Sequence, residues 1–258
     1  AMLIAGMLST FPALVINSLL FPMGLAAIGI TGLAMTEALT VTVSAPVGEE
    51  ICKFLAVLSL RGMIDSSRRG LQVGFTVGLG FAMLENLQYV LLSLVAEPTT
   101  AAFSYGFTSV IRGIGSIPGH AVWTGVSGYA LGCVQAKHAH HVEKATSSSA
   151  TWGLFNAQTG QAFATATSAW VVQRDAWTRR VASSFGPAPP RVLLPALLVG
   201  IAGHALWNGS TVVLDAWLVD ASAVTQFIAF VGWILFLVAL VLQAGRRLFA
   251  AALMDAQT

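Results

Sequence analysis

Uncharged apolar runs recur along this chain, separated by short segments in which the charged residues collect. A helix needs about 20 such residues to cross roughly 30 Å of hydrocarbon. Six runs qualify, approximately Phe11 to Leu33, Thr36 to Leu60, Gly70 to Val95, Phe107 to Gln135, Val192 to Leu218 and Val224 to Leu242. Hydrocarbon requires every backbone polar group to be satisfied within its own segment, which selects helices. The pattern therefore predicts an all-α, polytopic transmembrane helix bundle of about six to seven spans, forming one domain over residues 1–258. Residues 1–10 read as an appended start or as the tail of an earlier segment, with no basic stretch or cleavage site to mark a signal peptide. No internal repeat is visible.

The one long interruption, residues 136–190, carries His138, His140 and His141, then Ser147 to Ser149, and ends on Pro187, Pro189 and Pro190. Its composition predicts a cytoplasmic insertion. Its aromatic residues, Trp152, Phe155, Phe163, Trp170 and Trp177, are too sparse to span but suit a segment lying on a membrane surface as well as a plain linker. The histidines beside Lys137 and Lys144 read as solvated boundary residues rather than a metal site.

Composition sharpens the membrane reading. Only 9% of residues are charged, 56% are hydrophobic and the mean hydropathy is +0.77, against about 25% charged in a soluble domain. Of the 13 Lys and Arg residues, all but Lys53 and Arg112 fall outside the six runs. They mark alternate loops: Arg61, Arg68 and Arg69; then Lys137 to Arg191; then Arg246 and Arg247. The positive-inside rule places these loops and the C-terminus in the cytoplasm of a cell membrane, and the loops bearing Glu97 and Asp220 outside. A net charge of +2 then reflects orientation, with no nucleic-acid signal. Cys52 and Cys133 lie inside runs and lack metal spacing, so they read as small apolar residues.

An ionisable side chain at mid-membrane costs at least about 2.5 to 3.5 kcal/mol on insertion scales, so each one is a candidate site residue. Four runs carry such groups. In the second, Glu49-Glu50-x-x-Lys53 places Glu49 four residues from Lys53, where the two can pair, and leaves Glu50 as an available carboxylate. The third carries Glu85 and Asn86, with Tyr89 one turn on and glycines at 74, 78 and 80 that allow close helix approach. The fourth places His120 just after Pro118-Gly119, with glycines at 125, 128 and 132. The fifth sets His204 and Asn208 on one helix face, suited to a water, a carbonyl or an oxyanion. Counted from the cytoplasmic ends at about 1.5 Å per residue, Glu50, Glu85, His120 and His204 fall at comparable depth. Arg112, near the external end of its run, reads as a residue snorkelling to the headgroups. No G-x-S-x-G elbow and no H-E-x-x-H helix is present.

The ordered set E-E-x-x-K, F-x-x-x-E-N-x-x-Y, H-x-x-W-x-x-x-x-G-x-x-x-G and H-x-x-x-N, over about Pro46 to Gly209, resembles the PrsW family of intramembrane proteases, relatives of the CAAX-processing and bacteriocin-processing membrane proteases. The long insertion departs from the compact pattern of that family and leaves the four motifs intact. The resemblance implies an endopeptidase acting on single-span membrane proteins, an anti-sigma factor among family substrates, in a bacterial cell membrane. Joined to the residues, it predicts a site of Glu49, Glu50, Glu85, His120, His204 and Asn208. Glu50 is the expected base for water, Glu49 its partner or alternate, and His204 with Asn208 the oxyanion donors. The metal-free version is preferred. Zn²⁺ held by His120, His204 and Glu50 is the alternative, since a His₂-carboxylate set is one that catalytic zinc uses. A transporter or proton relay uses the same residue types, but no inverted repeat supports it. A silent scaffold like the related gamma-secretase subunit is the third reading, and the presence of both Glu49 and Glu50 argues against it.

Overall fold

The computed structural model describes residues 1–95, 101–146, 177–178, 180–181 and 188–255, with the side chains of 95, 101–104 and 138–146 left aside. Most of the predicted insertion, including its serine run, its aromatic positions up to Trp170 and Pro187, lies outside the described residues, as do Glu97 and the side chains of His138, His140 and His141.

Among the described residues the chain is helical throughout, with no strand. Helix α1 runs Met2–Ala27. Residues 2–10 thus belong to the first helix, which starts well before the expected Phe11. Helix α2, Leu33–Leu39, continues through Thr40–Ser44 into α3, Ala45–Ser59. Helix α4 spans Ser67–Val95, and α5, Ala101–Ile111, continues through Arg112–Ser116 into α6, Ile117–Thr146. Helices α7, Leu193–Trp217, and α8, Ala223–Asp255, complete the bundle.

Four of these helices are long and apolar enough to cross a membrane, namely α1, α4, α7 and α8. The two expected spans that fall short, over Thr36 to Leu60 and Phe107 to Gln135, are those carrying Glu49, Glu50 and Lys53, and Arg112 and His120. The polar residues that make a site lower the hydropathy of the helices that hold it.

Three π-helical turns interrupt the helices, at Ile16–Leu20, Thr40–Ser44 and Arg112–Ser116. Each is followed at the same offset by a proline: Pro22, Pro46 and Pro118. The ring of a helical proline collides with the carbonyl four residues back and offers no N–H, so the preceding turn widens. In each case the residue before the proline donates five residues back, Phe21 to Ile16, Ala45 to Thr40 and Ile117 to Arg112. The carbonyls of Asn17, Val41 and Gly113 thereby lose their helical donors, because the N–H four residues on is diverted and the residue five on is proline.

Helix α4 is the spine of the bundle. A Cβ on Gly70, Gly74 or Gly78 would fall 2.2 Å from the Gly128 carbonyl oxygen, 2.6 Å from that of Thr124 and 2.3 Å from that of His120. One on Gly80 would fall 2.1 Å from the carbonyl oxygen of Leu3 in α1. Only glycine permits these backbone-to-backbone seams, as the small-residue spacing predicts. At the far end, Tyr129 donates to Asp255 at 2.8 Å, and Asp255 pairs with Arg191, tying α6, α8 and the start of α7 together.

Candidate functional site

The expected site residues converge from four helices. Glu49, Glu50, Glu85, His120 and His204 are all buried, and Glu50, His120 and His204 are each no more than 2% exposed. Pro46, tolerated in the first turn of α3, sets the start of the helix that carries both Glu49 and Glu50 into the bundle. His120 is fixed by the glycine seam, since its own carbonyl abuts Gly78.

Lys53, fully buried, lies at the centre of the cluster. Its Nζ donates to Glu50 Oε1 at 2.6 Å and lies 2.7 Å from His120 Nδ1. Glu49 Oε2 is farther away, at 3.7 Å. The expected pairing is therefore inverted: Glu50 is the lysine's close partner, and Glu49 keeps an oxygen that has no hydrogen-bond partner. Lys53 is four residues from Glu49 and three from Glu50, so helix spacing alone allowed either.

Both imidazoles are held from behind by a carboxylate. His204 Nδ1 lies 3.2 Å from Glu50 Oε1, which turns Nε2 toward Glu49 Oε2 at 3.8 Å. His120 Nε2 lies 3.0 Å from Glu85 Oε2, which leaves Nδ1 toward Lys53. His204 also stacks on Trp123, with ring centroids 4.8 Å apart and planes 12° apart, and meets His120 edge-on at 5.0 Å.

One expected role changes, and one residue gains a further partner. Arg112 does not snorkel outward: its guanidinium donates to Glu85 Oε2 at 2.5 Å and to Asn86 Oδ1 at 2.6 Å, and lies over the Tyr89 ring at 3.8 Å. The π turn at Arg112–Ser116 brings it and Ser116 to Asn86, with Ser116 Oγ donating at 3.0 Å. Asn208 lines the same cavity as His120 and His204, and one of its amide N–H groups donates to the Val41 carbonyl at 3.0 Å. That is the carbonyl stripped of its helical donor by the turn before Pro46, and a polar group left unpaired there is costly. Asn17, in the first π turn, was not singled out from the sequence. It donates to Glu49 Oε1 at 3.2 Å and accepts from Ser44 at 2.8 Å. The signal available for it was Pro22, placed as Pro46 and Pro118 are.

Two cavities meet at Glu49 and Glu85. One, of about 230 Å³, is walled by Trp123, Trp207, Phe230, Ile111 and Ile234 and contains His120, His204 and Asn208. The other, of about 160 Å³, lies beside α1 and is lined by Thr10, Asn17, Ser18, Thr40 and Gln88. Both border Val41, Ala45 and Tyr89. An acid with an open oxygen thus sits between an aromatic chamber and a hydroxyl- and amide-lined one.

Glu49, His120 and His204 each offer a ligand atom, and these atoms lie within 4.8 Å of one another. The donor chemistry fits a divalent metal: a carboxylate oxygen with no other partner, and two imidazoles each oriented by a carboxylate on the opposite nitrogen, as metal-binding histidines usually are. The grouping contains Glu49, whereas the sequence pointed to Glu50. Glu50 instead orients His204 and holds Lys53.

No curated protein and no solved structure matches the chain. Residues 1–164 match the family described as PrsW family intramembrane metalloprotease. That stretch includes Glu49, Glu50, Lys53, Glu85 and His120 but stops short of His204 and Asn208, which join the site through the fold of α7. With well over half its length in the match, the chain belongs to the PrsW family of intramembrane metalloproteases.

Proposed function

We propose that this protease hydrolyses peptide bonds in single-span membrane proteins at the Glu49, His120 and His204 centre, with Glu49 as the group that takes the proton from water. The unpartnered Glu49 oxygen, buried between the two cavities and facing His204 Nε2, is the observation that carries this reading. A general base must have a free lone pair within reach of its water, and Glu50, closed by Lys53 and His204, has less to offer than Glu49. The hydroxyl-lined chamber suits the delivery of water, and the aromatic chamber suits an apolar, unwound substrate segment. Glu85 holds His120, Glu50 holds His204, and Lys53 balances the carboxylates. Zn²⁺ bound by Glu49, His120 and His204 would supply a Lewis acid and a water of lowered pKa, with Glu49 then serving as ligand in place of base.

An anti-sigma factor is the first substrate to try, on the family resemblance. The basic residues Arg61, Arg68 and Arg69, and Arg246 and Arg247 near the end of α8, support a cytoplasmic position for those helix ends in a bacterial cell membrane under the positive-inside rule.

Purified protein in detergent, given a panel of single-span membrane substrates, should produce fragments readable by mass spectrometry. Glu49→Gln should lower turnover by about 10²- to 10⁴-fold, the span of general-base effects. Wild-type turnover by Glu49→Gln, with loss confined to Glu50→Gln, would return the base to Glu50.

A further inference from the structure

Lys53 is a buried cation that hydrolysis by a glutamate and two histidines does not by itself require. Its side chain is wholly enclosed, with Nζ in hydrogen-bond distance of Glu50 Oε1 and His120 Nδ1, 3.7 Å from Glu49 Oε2 and 4.2 Å from the Phe81 ring centroid. Every close neighbour is an anion, a lone pair or a π face, which is the environment of a bound cation.

The placement of His120 makes this specific. Its Nε2 faces Glu85 at 3.0 Å, so Nε2 carries the hydrogen and Nδ1 carries the lone pair. That lone pair accepts from Lys53 at 2.7 Å. A nitrogen lone pair serves one partner at a time, so a metal ion and the Lys53 ammonium cannot both use it. Like-charge repulsion between two cations sharing Glu49 acts in the same direction.

Building on the proposed centre, we propose that the Lys53 ammonium and a divalent cation are alternative occupants of one position, so that Lys53 governs whether the site takes metal. Metal capture then requires the ammonium to leave His120 and remain on Glu50, its closest partner at 2.6 Å. The displacement is one of position, with Lys53 keeping its charge. Lys53 is a positioning residue in this scheme, acting through His120 and Glu49.

The test is zinc affinity, measured without substrate by competition with a chromophoric chelator on the full chain in detergent. Lys53→Met should bind Zn²⁺ about tenfold or more tightly than wild type, the usual size of coupling between two ligands at linked sites. His204→Ala should abolish the gain. Lys53→Arg, which keeps the charge, should bind no more tightly than wild type. Removing one member of a buried pair can unfold a protein, so the charge-balanced Glu50→Gln/Lys53→Met variant is measured beside it, with circular dichroism and size exclusion confirming the fold. Because Glu50 also orients His204, this variant is compared with Glu50→Gln alone, relative to which it should show the same tightening. Unchanged or weaker zinc binding in a folded variant lacking Lys53, or no zinc binding by any variant, would overturn the proposal. Cleavage of the substrate panel is scored separately, so a protease that works while Lys53 leaves zinc affinity untouched would refute this inference and leave the proposed function standing.

Discussion

On one side of His120 the helices meet backbone to backbone; on the other they meet through an indole and a cavity. Across the α4–α6 seam, Gly74 and Gly78 leave no room for a methyl group before the carbonyls of Thr124 and His120. Toward α7, Gly203 abuts the Trp123 ring, and the aromatic chamber opens between Trp207, Phe230 and Ile234. The seam has no adjustable part, because carbonyl oxygens in a helix cannot rotate away. The α7 face has several, because an indole can change rotamer within the space the chamber provides. The difference separates two kinds of contact: Glu85 and His120 lie beside a backbone seam, while His204 is carried on a helix packed through side chains against Trp123.

The largest effect should come from filling the seam. Gly78→Val places a branched side chain where even a Cβ would sit 2.3 Å from a carbonyl oxygen, so α4 and α6 must separate and most of the protein should be lost from the monodisperse peak on detergent size exclusion. Overpacking in an adaptable core costs about 1 to 3 kcal/mol, and a clash with backbone should exceed that. Gly209→Ala, on the α7 side, meets nothing closer than a Thr42 methyl at 3.8 Å and should fold normally. Equal behaviour of the two variants would erase the distinction between the faces.

A smaller loss should follow from the ion pair beside the seam. Arg112→Ala leaves Glu85 buried with a single imidazole partner, and breaking a buried pair costs about 3 to 5 kcal/mol. The melting temperature should drop, and turnover should fall beyond what lost folded protein explains, because Glu85, no longer anchored by Arg112, would hold His120 less rigidly. Arg112→Lys keeps the charge but cannot reproduce the paired contacts to Glu85 and Asn86, so it should restore stability better than turnover. Full turnover in folded Arg112→Ala would detach Glu85 from the site.

Sequence reasoning reached the helical bundle and the identity of the buried acids and imidazoles because hydrocarbon makes each ionisable residue conspicuous. It did not reach their pairing. Glu49 and Glu50 lie four and three residues from Lys53, within reach of it in either arrangement, and the position of His204 on another helix bears on which oxygen is left open. Arg112 looked external by count along its helix, yet the π turn before Pro118 swings it onto Glu85. The recurring π turn was only partly legible: Pro22, Pro46 and Pro118 each follow one, whereas Pro12, also inside an apolar run, sits in an ordinary α-helix. What that spacing does not reveal is the destination of the freed carbonyl.

The smallest effect concerns that destination. Asn208 and His204 share a helix face, which suggests a joint oxyanion hole, while one Asn208 N–H donates to Val41 O at 3.0 Å. Its work is to satisfy an acceptor that Pro46 and the widened turn have stripped of its donor. Asn208→Ala should therefore cost stability of about 1 kcal/mol, the net value of one hydrogen bond, read as a small fall in melting temperature. Turnover at saturating substrate should stay within about threefold of wild type, well short of the roughly 10²- to 10³-fold expected on losing an oxyanion donor. Asn208→Gln, one methylene longer, should not recover the bond if the Val41 carbonyl is fixed. Kinetics on a fluorogenic substrate decide between the roles: a hundredfold fall in kcat with KM unchanged would return Asn208 to the transition state and make the α7 face, like the seam, part of the fixed machinery.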